Sequence, residues 1–263
     1  MLAKDKEIGY NIKAIPFSRG VCMYKRCALL CVLFLLLSGC AAAKGSALSI
    51  PAEVNTVSAS PADRTALSGN AEALAAPGGA VRLFGDDCDE GKILVLWDGA
   101  QAAFDWDHVT PRGTEIASEL MDLDGDGEDE LVVTTLSSAG TGVNYHELHV
   151  VKRDNGTWSD LALTGDALAS LTEELTYKIN GTDVVFSIWT ADWTVHTDSP
   201  VCEVVPVGKV VPYELSESGI RACFGVAVRY SGSPYDFYVA ELLADVTLEG
   251  KSFVFSDFTW REV

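Results

Sequence analysis

Basic side chains are scarce in this chain: 19 Lys and Arg stand against 38 Asp and Glu, a formal charge of −19 over 263 residues. So acidic a surface repels phosphate backbones and anionic headgroups, which excludes nucleic acid as a partner. Histidine is rarer still, with four residues. His146-Glu147-Leu148-His149 lacks the spacing of a zincin, and on a strand its two histidines face opposite sides, so both read as hydrogen-bonded structural residues. No Gly-x-Ser-x-Gly occurs, and Gly140-Thr141-Gly142 is not followed by the lysine and helix that phosphate binding needs, so it reads as a tight turn. Asp105-Trp106-Asp107-His108 alternates faces on an extended segment and reads as a solvated turn. With no convergent catalytic constellation, the chain reads as something other than an enzyme. Long apolar runs are missing too. The stretch Cys27 to Leu37 has 11 residues, too short to span a hydrocarbon core of about 30 Å.

What the chain does have is Asp122-Leu123-Asp124-Gly125-Asp126-Gly127-Glu128-Asp129-Glu130. Carboxylates stand at positions 1, 3 and 5 with glycines between them. Ca²⁺ takes about 6 to 8 oxygen ligands at roughly 2.3–2.6 Å, and short acidic side chains on a tightly folded backbone supply several at once. Asp122, Asp124 and Asp126 are the expected side-chain ligands, Glu128 offers its backbone carbonyl, and Glu130 closes the set at position 9. Gly127 takes the sharp turn. Position 12 is Val133, inside the β-branched run Leu131 to Thr135, so the pattern is a calcium-bound turn entering a buried strand and not an EF-hand. The expected cofactor is a structural Ca²⁺.

Upstream, Lys25-Arg26 precede the apolar run, which ends in Leu37-Ser38-Gly39-Cys40. A basic n-region before a short apolar h-region is an export signal, with Met23 read as its start. Leu-Ser-Gly-Cys resembles the bacterial lipobox. That resemblance implies cleavage before Cys40, diacylation of Cys40, and lipid anchoring to the extracytoplasmic face of a bacterial membrane. Removing residues 1–39 removes 6 basic and 2 acidic side chains, leaving 13 and 36 and a formal charge of −23.

Residues 41–80 are rich in Ala, Ser, Gly and Pro and read as a flexible tether, residues 40–80 thus forming a lipidated linker, with a short helix as an option at 71–76. Residues 81–263 read as one β-domain. Apolar runs at Lys92 to Trp97, Glu147 to Lys152, Leu175 to Ile179, Val184 to Trp189, Val239 to Leu248 and Ser252 to Trp260 are separated by Asp98-Gly99, Asn155-Gly156, Asn180-Gly181 and Glu249-Gly250. Only residues 165–174 look helical. The class is all-β and mostly antiparallel, propeller-like (a partial or small β-propeller) or a β-sandwich.

The stretch Asp122 to Val133 resembles the calcium loop of FG-GAP and VCBS repeats, in which the metal staples two strands of a propeller blade. Glu130 stands where such repeats usually carry Asp. The following Gly140 to Val143 and Glu147 to Val151 are similar to bacterial lipoproteins with a single such loop and no established activity. A full propeller needs several blades with their own patterns, and one acidic loop of this type is present.

Trp189 and Trp193 could form a surface pair that stacks on sugars. Beyond Cys40, the cysteines are Cys88, Cys202 and Cys223. Cys202 and Cys223 could bridge, or all three could stay reduced. The expected function is a membrane-anchored binding or adhesion module for an extracellular protein or glycan. The alternatives are a carbohydrate-processing accessory and a calcium-responsive sensor.

Overall fold

The computed structural model describes residues 47–61, 72–78, 81–85, 92–109, 116–165, 168–207, 209–216 and 218–263. The expected leader, Cys40 and Cys88 lie outside the described residues. Strand dominates as expected, and the one helix described, α1 (Ala169–Glu174), has six residues. Among the described residues no helix is long and apolar enough to cross a membrane.

Four sheets follow one another along the chain, mostly as antiparallel meanders. The first joins β4 (Glu72–Gly78), β5 (Val81–Gly85), β6 (Lys92–Trp97) and β7 (Ala100–Asp105). The second joins β8 (Ala117–Met121), β9 (Glu130–Gly140), β10 (Val143–Asp154) and β11 (Thr157–Leu163), and the third joins β12 (Thr176–Asn180), β13 (Asp183–Ile188) and β14 (Ala191–His196). The fourth runs β15 (Val201–Val205), β18 (Gly219–Tyr230), β19 (Phe237–Glu249) and β20 (Ser252–Glu262), with β17 (Tyr213–Ser216) on β18. The short β16 (Val210–Val211) pairs in parallel with β10.

The expected tether is corrected by three strands that precede these sheets and pair with them. β1 (Leu48–Pro51) joins β20, β2 (Glu53–Ser58) joins β11, and β3 (Ser60–Pro61) joins β7. Ile50 is 1% exposed within the core. The folded unit therefore starts near residue 48, not 81, and residues 72–78 form β4 in place of the optional helix. Composition misled here because small and polar residues suffice for strands whose partners supply most of the apolar surface.

Turn chemistry accounts for the hairpins. Asn155 and Gly156 have φ of +46° and +83° and connect β10 to β11, as a type I′ turn requires. Two other turns sit one residue later than expected. Asn180 pairs with Asp183 and Glu249 with Ser252, so the loops are Gly181-Thr182 and Gly250-Lys251. Glycine at the first central position is the type II′ solution.

The second sheet is buried on both faces. Leu131, Val133, Val151 and Trp158 pack with Leu83, Ile93, Val95 and Phe104 of the first sheet. Val132, Leu148, Val150 and Leu161 pack with Phe186 of β13 and with Phe224 and Phe255 of β18 and β20. A strand buried on both faces reads as a continuous apolar run, which is the pattern at Leu131-Val132-Val133. This double packing makes the start of β9 a rigid base for the acidic loop.

Candidate metal centre

The acidic segment is the loop from β8 to β9, closed by the pairing of Met121 with Glu130. Gly125 and Gly127 adopt φ of +77° and +90°, conformations that residues with a Cβ resist. The turns are then locked by the carboxylates. Asp124 Oδ1 accepts the Asp126 N–H at 3.3 Å, Asp126 Oδ1 accepts the Glu128 N–H at 2.8 Å, and Asp122 Oδ2 accepts the Gly127 N–H at 3.0 Å. Glu130, 2% exposed, uses Oε2 to accept the Leu123 N–H at 2.8 Å. Each of these carboxylates gives one oxygen to the backbone and keeps the other for a further partner.

Asp122, Asp124 and Glu130 come together, each with a carboxylate oxygen within 4.8 Å of the others'. Asp126 stands at the rim with its side chain 49% exposed. The Glu128 side chain is exposed and outside that group. Three oxygens at this spacing, on a glycine-hinged loop, match the hard donor set that Ca²⁺ takes.

Lys152 of β10 also reaches the cluster, which motif reading missed. Its ammonium contacts Asp124 and lies 3.2 Å from Glu130 Oε1 and 3.7 Å from Asp126 Oδ2. The hydrogen bond from Lys152 holds the Asp124 carboxyl below the usual range. Burial pushes the Glu130 carboxyl up, against the pull of the Leu123 N–H and Lys152. For Lys152 itself, burial pulls the ammonium down, but its bonds to Asp124 and Glu130 outweigh this and raise it. Among the described residues one ammonium meets three of the loop's carboxylates, with Asp122 beside them, so the loop keeps a net negative charge.

A cleft of about 490 Å³ opens beside the loop, bordered by Trp97, Asp126, Lys152 and Arg153. The Arg153 guanidinium lies 3.9 Å above the Trp97 ring. On the loop's other side is a larger cleft of about 970 Å³, bordered by Asp122, Ser216, Ser218, Arg221 and Asp257.

A second polar cluster lies between the first two sheets. Asp105 to His108 is not a solvated turn: Trp106 is 3% exposed, stacks on His149 at 4.5 Å, and donates its indole N–H to Asp160 at 2.7 Å. Asp160 and His149 are 1% and 3% exposed, with His149 Nδ1 at 3.2 Å from Asp160 Oδ1. Nothing short of the folded structure joins Trp106 to Asp160, 54 residues away.

Trp189 and Trp193 are both half-buried. Trp193 pairs across the sheet with the fully buried Phe186, and Trp189 stands edge-on to Phe258 at 4.9 Å, so they do not form an exposed platform. Cys202 and Cys223 are both free, and burial pushes the Cys223 thiol up to about 12.

No protein-family model matches the chain, and no curated protein or solved structure matches it either.

Proposed function

We propose that this chain is a lipid-anchored, extracytoplasmic β-protein in which the acidic loop takes a structural Ca²⁺ and the β-domain binds a protein or glycan outside the membrane. The convergence of Asp122, Asp124 and Glu130 on one glycine-hinged loop carries the metal reading. Calcium here would tie the end of β8 to the start of β9 and relieve repulsion in a strongly acidic surface. The successive meanders favour the propeller-like reading over the sandwich. The 970 Å³ cleft beside Asp122, with its serines and the Arg221–Asp245 pair, offers hydrogen-bonding groups suited to a polar partner.

Lys152 favours a second reading, a calcium-responsive site. A divalent ion among these oxygens would repel an ammonium in contact with them, so binding requires Lys152 to swing out. Lys152→Met is therefore expected to tighten calcium binding about tenfold by removing a tethered competitor. Isothermal titration calorimetry checks this; unchanged or weaker binding would show that Lys152 does not compete with the ion. The metal reading itself is tested by the calcium dependence of unfolding.

A further inference from the structure

The His149 ring has one nitrogen engaged and one orphaned. Nδ1 faces the buried Asp160, whereas Nε2 has no hydrogen-bond partner among the described residues. An unpaired polar atom at this depth costs on the order of 1–3 kcal/mol. Among the described residues Glu147 faces it, two residues earlier on the same face of β10, with Oε2 at 3.9 Å from Nε2 and a side chain 16% exposed. Asp107 and Glu53, both exposed, add their negative charge at Glu147, and Glu53 also accepts the Thr164 hydroxyl at 3.0 Å.

We propose that His149 Nε2 and the Glu147 carboxylate form a second metal site, separate from the acidic loop, that takes a divalent transition ion of the Zn²⁺ type. Three observations converge on it. Asp160 with a donated Nδ1–H fixes the tautomer in which Nε2 presents its lone pair, the arrangement that orients histidine ligands from behind. Trp106 clamps that arrangement by donating to Asp160 and stacking on the ring. The imidazole nitrogen then selects for class: zinc and its neighbours accept nitrogen donors that calcium and magnesium leave aside. Ligand bonds of about 2.0–2.2 Å would require Glu147 to close on Nε2 by a few tenths of an ångström, a small rotation for a side chain open on one side. Two protein ligands leave the other positions to water or to a donor from a bound partner, and the partly exposed Glu147 is the side from which an ion would enter.

The decisive experiment titrates Zn²⁺ into the full chain labelled with ¹⁵N-histidine and follows the ring nitrogens. Nε2 of His149 is expected to shift and saturate at one equivalent, Glu147→Gln to weaken that binding at least tenfold, and Asp124→Asn to leave it unchanged. Three results would overturn the site: an Nε2 resonance unmoved by millimolar Zn²⁺, binding indifferent to Glu147→Gln, or binding lost only with Asp124→Asn. An Nε2 that proves protonated and inert to zinc would show a proton shared with Glu147 in place of a metal. The wild-type titration decides the matter even if a variant fails to fold. The site does not depend on calcium in the loop, so each can fail alone.

Discussion

Trp106→Ala lowers the unfolding free energy by about 4 kcal/mol, an expected loss at the upper end of large-to-small core changes. Two effects combine. The indole fills the junction of the first two sheets against Phe104 and His149, at ring separations of 4.7 and 4.5 Å, and its removal leaves a cavity lined by aromatics. The same change strips Asp160 of its indole donor while leaving the carboxylate 1% exposed, and hydrogen bonds to charged groups contribute about 1.5–3 kcal/mol. For a domain of this size the melting temperature should fall by roughly 10 °C. Trp106→Phe separates the terms: it keeps most of the stack and loses the N–H, so a fall of about half is expected in denaturant titration.

Glu130→Gln has the second large effect, visible only with the metal. Glutamine can still accept the Leu123 N–H, so the loop's closure survives. The carboxylate that faces Asp122 and Asp124 is gone, and calcium should bind at least tenfold more weakly, a loss of about 1.4 kcal/mol or more in the stabilisation by calcium. In EDTA the variant should melt close to the parent, because losing the Lys152 contact is offset by no longer burying a charge. The direction of the Glu130 shift makes this checkable against pH. Its carboxyl is raised by burial, so in EDTA the parent loses stability through this group as pH rises past the ordinary carboxylate range towards the raised value, and Glu130→Gln does not. Parallel melts in EDTA and calcium from pH 4 to 8 read both statements. Equal destabilisation of Glu130→Gln in the two conditions would remove Glu130 from the ligand set.

The strand-and-turn frame was legible because turn residues carry it. Asn155-Gly156 and Asp98-Gly99 are the two-residue loops their dipeptides announce, both with positive φ. The Gly181 and Gly250 turns were displaced by one residue because a glycine can lead a type II′ turn as well as close a type I′ one. β1 to β3 were hidden by composition, although Leu48 and Ile50, alternating with the exposed Ser49 and Pro51, fit an edge strand with one inward face. Spacing led to the grouping of Asp122, Asp124 and Glu130, but the structure leaves Asp126 at the rim and the Glu128 side chain outside that group, and Lys152 was not legible. Counting back from the Thr141-Gly142 turn without interruption sets Arg153 opposite Glu130. The bulge between Tyr145 and His146 shifts the register so that Val151 meets Leu131 and Lys152 falls beside Glu130. His149 and Asp160 meet across the β10–β11 hairpin, and the stacking of the two sheets brings Trp106 to them; no site pattern in the sequence joins the three.

A thermal melt of the full chain, first in EDTA and then across a calcium titration, tests the central claim most directly. The chain must include β1 to β3, since a fragment starting near residue 80 would lack strands that pair with three of the sheets. Calcium at about a hundred times its dissociation constant should add roughly 2.7 kcal/mol, a rise of about 5–10 °C that keeps climbing with the logarithm of the calcium concentration. A melting temperature that does not move with calcium would contradict the account, leaving the acidic loop as a turn countered by Lys152.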